Sequence, residues 1–226
     1  MDGFANRDEA GRSLADAVRR RLGAAGPDER RLVLGLPRGG LPVAAHVAEA
    51  LDAPLDVLTV RKLGAPGHEE LAMGAIASGG IQVLDRGLVD RLGVSDARLQ
   101  QVVEREQAEL RRREQTFREG GEPLALAGAT AVLVDDGVAT GATMKAAIDA
   151  VREGGAARVV VAIPLAPDDT LRELRATADE VICLETPSPF WAVGQGYRDF
   201  PQVQDDEVRR ILSEARSPAD GADGSG

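Results

Sequence analysis

Short apolar runs rich in β-branched residues alternate with amphipathic stretches along most of the chain. Residues 31–36 (RLVLGL) read as a buried strand. Residues 40–51 (GLPVAAHVAEAL) read as a helix, with Val43, Val47 and Leu51 at i, i+4 and i+8. The pattern repeats with strands over 55–60 (LDVLTV), 130–134 (TAVLV), 157–163 (ARVVVAI) and 180–184 (EVICL), and with helices over 142–153 and 168–177. Strands separated by helices imply a doubly wound α/β fold, with a mainly parallel sheet covered on both faces. Two segments break the rhythm. Residues 72–84 place Gly79-Gly80 between apolar runs, which predicts a hairpin. Residues 95–119 predict one long helix capped by Ser95, with sparse apolar positions at Leu99, Val102, Val103, Leu110 and Phe117. Its charged remainder suits a solvated helix lying on the sheet; the alternatives are a lid or a subunit contact in a homodimer. The expected organisation is a single domain over 1–216 with a disordered tail over 217–226.

Composition narrows the chemistry. The 226 residues carry 27 basic and 37 acidic side chains, for a net charge of −10. This is a globular profile whose acidic excess argues against non-specific nucleic-acid or anionic-membrane binding, although a few local cations can still hold a small anion. Cys183 is the single cysteine and His46 and His68 are the only histidines, which excludes a disulfide framework and a multi-histidine metal site. The N-terminus lacks a basic start followed by an apolar run, and no apolar stretch is long enough to span a bilayer, so a cytoplasmic location is expected.

In an open parallel sheet, ligands gather beyond the carboxyl ends of the strands. Pro37-Arg38-Gly39-Gly40 follows the first strand, Arg61 and Lys62 follow the second, and Asp135-Asp136-Gly137-Val138-Ala139-Thr140-Gly141-Ala142-Thr143 follows the third. Cations, an acidic pair and a Gly/Thr loop converging at strand ends suit a phosphorylated, polyhydroxylated ligand with a metal. Glycines 137 and 141 permit a tight turn. The helix opening at 140–143 offers free amides to an anion. The two aspartates suit sugar hydroxyls or a hydrated Mg²⁺. The loop is not a P-loop: three residues, not four, separate its glycines, and no lysine follows the second.

The segment VLVDDGVATGATM resembles the phosphoribosyl-pyrophosphate (PRPP) signature of type I phosphoribosyltransferases. The likeness extends over roughly Phe4 to Leu212 and is closest to bacterial members carrying an L-P-R-G-G motif. It implies that Asp135 and Asp136 hold the ribose hydroxyls, directly or through Mg²⁺, and that Val138, Ala139, Thr140, Gly141, Ala142 and Thr143 bind the 5′-phosphate region. It also implies that Pro37, Arg38, Gly39 and Gly40 form the pyrophosphate loop, with a cis Pro37–Arg38 peptide, and that Arg61 and Lys62 add further diphosphate contacts. The resemblance places a flexible catalytic loop at 63–74. The implied reaction transfers the 5-phosphoribosyl group to a nitrogenous base and releases pyrophosphate.

Four of the six aromatic residues fall within Phe190–Phe200. The resemblance implies a small hood over 186–203; these aromatics either stack there on the base, with Trp191 as the best candidate, or pack the loop onto the sheet. The family's 6-oxopurine enzymes carry a third aspartate where this chain has Ala139, and a lysine that Ile163-Pro164-Leu165-Ala166 lacks, so the acceptor base is not specified. Two other readings compete: a non-catalytic PRPP or nucleotide sensor on the same fold, and an unrelated doubly wound enzyme in which Arg38 does not approach the Asp135–Thr143 loop.

Overall fold

The computed structural model describes residues 3–118, 123 and 125–216. Helix α1 (Arg7–Leu22) is followed by β1 (Arg31–Gly35), α2 (Gly40–Leu51), β2 (Leu55–Val57), β3 (Val60–Ala65), β4 (His68–Ala77), β5 (Ile81–Leu84), α3 (Arg86–Arg91) and α4 (Asp96–Phe117). The chain continues through β6 (Thr130–Val134), α5 (Ala142–Glu153), β7 (Arg158–Leu165), α6 (Asp168–Arg175), β8 (Glu180–Glu185) and α7 (Asp205–Arg216). A five-stranded parallel sheet runs in the order β2-β1-β6-β7-β8, and a three-stranded antiparallel sheet in the order β3-β4-β5.

Strand alternation sorts the core into two layers. Val33 pairs with Val132, and Val132 with Val160. This valine row faces Leu14 and Val18 of α1, Val43 and Val47 of α2, and Val208 and Ile211 of α7. On the opposite face Leu34, Leu133, Val161 and Ile163 pack against Met144 and Ile148 of α5 and Leu171 and Leu174 of α6. Strands β1 and β6 are buried along their whole length, which is why they read as continuous apolar runs. Helix α1 escapes that reading because its buried stripe, Ala10, Leu14, Ala15 and Val18, is short and lies among charges.

Two expected elements take a different form. The strand expected over 55–60 is divided: the Leu58 amide donates to the Gly35 carbonyl, and at Thr59 the chain leaves the main sheet to pair with Ser78. The stretch 63–74, expected as a loop, is mostly β-hairpin, with β3 and β4 turning at Pro66-Gly67. Its polar sequence conceals an alternating apolar set, in which Leu63, Ala65 and Met73 are buried against Leu99, Val102 and Val103 of α4. The hairpin predicted around Gly79-Gly80 forms between β4 and β5, and both glycines take positive φ.

Helix α4 begins at its Ser95 cap and packs Leu99, Val102, Val103 and Leu110 on the small antiparallel sheet, while Phe117 joins the core of the main sheet. It also buries Glu106 against Arg61. Just past its end, Arg118 makes a buried two-point ion pair with Asp56 in β2, at 3.0 and 3.1 Å, tying the helix to the main sheet. The tail 217–226 lies outside the described residues, as do Gly120-Gly121, expected to end the long helix. No described helix is long and apolar enough to cross a membrane.

Candidate active site

The Asp135-Asp136 pair emerges directly from β6, between the ends of β1 and β7. The Asp135 carboxylate accepts the Asp136 amide at 2.9 Å. Asp136 Oδ2 accepts the Arg7 Nε–H at 2.7 Å, and Arg7 also donates to the Pro201 carbonyl at 2.6 Å. The Arg7 guanidinium lies 3.7 Å from the Phe200 ring centroid, and Phe200 stacks on Tyr197 with centroids 4.7 Å apart. The Tyr197 hydroxyl donates to the Asp136 carbonyl. Burial pushes its phenol pKa up, which keeps it a proton donor. The acidic pair is therefore anchored from α1 and from the segment before α7, neither of which is near it in sequence.

Burial, followed by the charge of Asp136, pushes the Asp135 carboxyl well above its ordinary range. Burial also raises Asp136, but Arg7 opposes that rise by hydrogen bond and by charge. Two adjacent carboxyl groups with one internal cation suit sugar hydroxyls or a hydrated cation.

The 37–40 loop presses onto this pair. The Pro37–Arg38 peptide is cis. A Cβ on Gly39 would collide with the Asp136 carboxylate, and one on Gly40 would stand 2.6 Å from the Val134 carbonyl and 3.0 Å from Asp135 Cα. Only glycine permits this approach. The contact joins two of the three expected strand-end elements. Arg38 lines an adjacent cavity and reaches Asp205 at 3.4 Å, a long and weak pairing.

Beyond the acidic pair, the Val138 amide donates to the Leu165 carbonyl at 2.9 Å, and the Thr170 hydroxyl donates to the Ala139 carbonyl at 2.6 Å. These bonds hold the loop from β7 and α6. Gly141, with φ 74°, is the N-cap of α5, and no side chain caps the helix. Its opening amides therefore lack partners within the helix and face outward. Thr140 and Thr143 are exposed beside them. Residues Gly137–Met144 with Asp135 enclose a cavity of about 230 Å³. Its size and donor chemistry suit a phosphate carrying part of a sugar.

The two expected cations part company. Arg61 donates to Glu106 from Nε at 2.7 Å and from Nη2 at 2.5 Å. It shares a strand face with Leu63 and Ala65, which pack toward α4. In this structure Arg61 is thus engaged by a carboxylate of α4. Lys62 points the other way and is exposed. In the 190–200 segment, Phe190, Tyr197 and Phe200 pack with Phe4 and Leu165, whereas Trp191 is 82% exposed. Packing thus accounts for three of the four clustered aromatics and leaves Trp191 available. His46 meets Asp8 of α1 at 2.8 Å, and His68 is exposed on the β3–β4 hairpin. Sequence reasoning missed Arg7 and Tyr197 at the acidic pair; the isolated Arg7 beside Asn6 gives no local signal of its partner.

A doubly wound sheet with an acidic pair at one strand end, a glycine-rich loop at its neighbour's end and an uncapped helix start between them defines the α/β fold of type I phosphoribosyltransferases. Comparison with known proteins agrees. Residues 7–199 match the phosphoribosyl transferase domain family, and the chain belongs to that family. A Mycobacterium tuberculosis protein described as "Putative phosphoribosyl transferase" is 49% identical over 212 residues, covering 94% of this chain and 47% of that protein. The chain thus spans about half the length of the curated relatives it matches. The crystal structure of the protein TT1426 from Thermus thermophilus is 43% identical, covers 95% of this chain and all of its own, and superposes with a TM-score of 0.83. Family membership supports a transferase of the phosphoribosyl type.

Proposed function

We propose that this site transfers the 5-phosphoribosyl group of PRPP to a nitrogen nucleophile and releases pyrophosphate. The observation that carries the reading is the juxtaposition of the uncapped start of α5 with the Asp135-Asp136 pair and the closely packed 37–40 loop. A phosphate, a diol and a diphosphate each meet suitable chemistry in neighbouring segments.

In this reading Thr140–Thr143 hold the 5′-phosphate through amides and hydroxyls, while Val138 and Ala139 shape the cavity floor. Asp135 and Asp136 orient the ribose hydroxyls, with Arg7 holding Asp136 in place. Pro37, Arg38, Gly39, Gly40 and Lys62 receive the diphosphate. The nucleophile attacks C1 from the face opposite the diphosphate, its bond forms as the C1–O bond breaks, and the anomeric centre inverts. The chain contributes positioning and stabilisation of charge on the departing group. Trp191 offers an aromatic face to the acceptor base, and Ala139, without a carboxylate, supplies no base to the acceptor.

Among the described residues no cluster of three or more His, Cys, Asp or Glu could hold a metal unaided. Two adjacent carboxylates fit Mg²⁺ that keeps waters and shares substrate oxygens. Asp135 and Asp136 would hold it, and it would neutralise charge on the diphosphate.

The test is PRPP-dependent pyrophosphate release across a panel of purine, pyrimidine and related nitrogen bases. Release with at least one acceptor is expected. PRPP binding with no release from any acceptor would favour a sensing role, and no PRPP binding would reject both.

A further inference from the structure

We propose that Arg112 and Arg113 of α4, together with Arg38, form a subsite for a diphosphate group, so that the long helix adds cationic contacts to those of the 37–40 loop. This inference rests on the proposed phosphoribosyl transfer and names residues that complete its leaving-group side.

A cavity of about 490 Å³ opens between the 37–40 loop, the last turns of α4 and the start of α7. Pro37 and Arg38 line it from the loop, Arg112 and Arg113 from the helix, and Asp205 from α7. The same loop abuts Asp135-Asp136 through Gly39 and Gly40. The cavity and the sugar-binding carboxylates therefore flank one short stretch of backbone. A diphosphate leaving a sugar held at the acidic pair would pass along that backbone toward the arginines.

The charge balance favours an anion. Arg112 and Arg113 both draw on Glu109, at 2.8 and 3.0 Å, and Arg61 lies 3.9 Å from the same carboxylate. Among the described residues Arg38 has only the long contact to Asp205. The nearby carboxylates Glu114 and Asp206 are taken by Arg118 and Arg209. Among the described residues, the three arginines lining the cavity thus share two carboxylates, one of which a fourth arginine also approaches. This local excess of positive charge stands out in a chain of net charge −10. The Arg112 and Arg113 side chains are 69% and 50% exposed, so they can turn from Glu109 to a ligand. Their planar forks match the paired oxygens of a diphosphate.

Calorimetric titration of the wild type, Arg112→Ala/Arg113→Ala and Glu109→Gln with inorganic pyrophosphate, PRPP and ribose 5-phosphate, each with Mg²⁺, tests the subsite. The double variant is expected to bind pyrophosphate and PRPP about tenfold more weakly or worse, with ribose 5-phosphate affinity unchanged. Glu109→Gln, which frees arginines without removing any, is expected to tighten pyrophosphate binding several-fold; a purely structural role for Glu109 would not produce that gain. In the wild type, pyrophosphate should compete with PRPP. Unchanged pyrophosphate and PRPP affinities in the double variant, no pyrophosphate binding by the wild type, or pyrophosphate binding without competition would each overturn the subsite. A wild type that binds pyrophosphate but neither PRPP nor ribose 5-phosphate would instead reject the phosphoribosyl reading. Loss of the pyrophosphate signal in the double variant would then still assign these arginines an anion.

Discussion

Asp135→Asn is expected to lower phosphoribosyl transfer about 10²–10³-fold while leaving the thermal midpoint unchanged or raised. The asparagine oxygen can still accept the Asp136 amide, so the loop keeps its 2.9 Å bond. What disappears is a half-buried ionisable carboxyl beside a second one. Because burial and Asp136 raise the Asp135 pKa above its ordinary 3.8, the folded protein holds that proton more tightly than the unfolded chain. The associated stability is fully present below the unfolded value and is lost as pH rises through the raised folded value. The asparagine variant lacks this loss. Its stability advantage should therefore grow from acidic to neutral pH, as calorimetric scans at successive pH values would reveal. An activity-dead variant that is also less stable at pH 7 would contradict this account of Asp135. The trade of stability for a charged site is common where function needs an unfavourable group.

The second large effect lies outside the motif. Arg7→Ala is expected to cost about 3–5 kcal/mol, because it strands the Asp136 carboxylate in a buried position. It also removes the bond to the Pro201 carbonyl and the contact over Phe200. For a domain of this size the midpoint should fall by roughly 10 °C. Adding Asp136→Asn to Arg7→Ala should recover part of that loss, since the stranded charge is gone. Urea titration of both single variants and the double variant measures the coupling. Strict additivity would mean that the pair does not hold the site together.

These two residues illustrate what the sequence made legible. Asp135 through Thr143 is one contiguous stretch, and its chemistry follows from strand, acidic pair and helix start in series. Its anchor is not contiguous: Arg7 and Tyr197 reach Asp136 from opposite ends of the chain, and neither position differs locally from an ordinary surface arginine or a packed tyrosine. The parallel strands were readable because both their faces are buried, leaving unbroken apolar runs. The β3–β4 hairpin was not, because one of its faces is polar and its apolar set is thin. Even so, Arg61, Leu63 and Ala65 fall on one face and Lys62 and Gly64 on the other. That period-2 pattern already separates the two adjacent cations once the segment is known to be a strand.

Gly39 and Gly40 bring the 37–40 motif against the acidic pair. Trp191 remains the one aromatic of its cluster turned to solvent, in the segment that the hood expectation assigned to the acceptor.

Diffraction from crystals soaked with ribose 5-phosphate and Mg²⁺ examines the central claim most directly. Phosphate density is expected within hydrogen-bonding distance of the amides opening α5, with the ribose hydroxyls turned to Asp135 and Asp136. Phosphate bound elsewhere on the molecule, or an empty turn at saturating ligand, would contradict it.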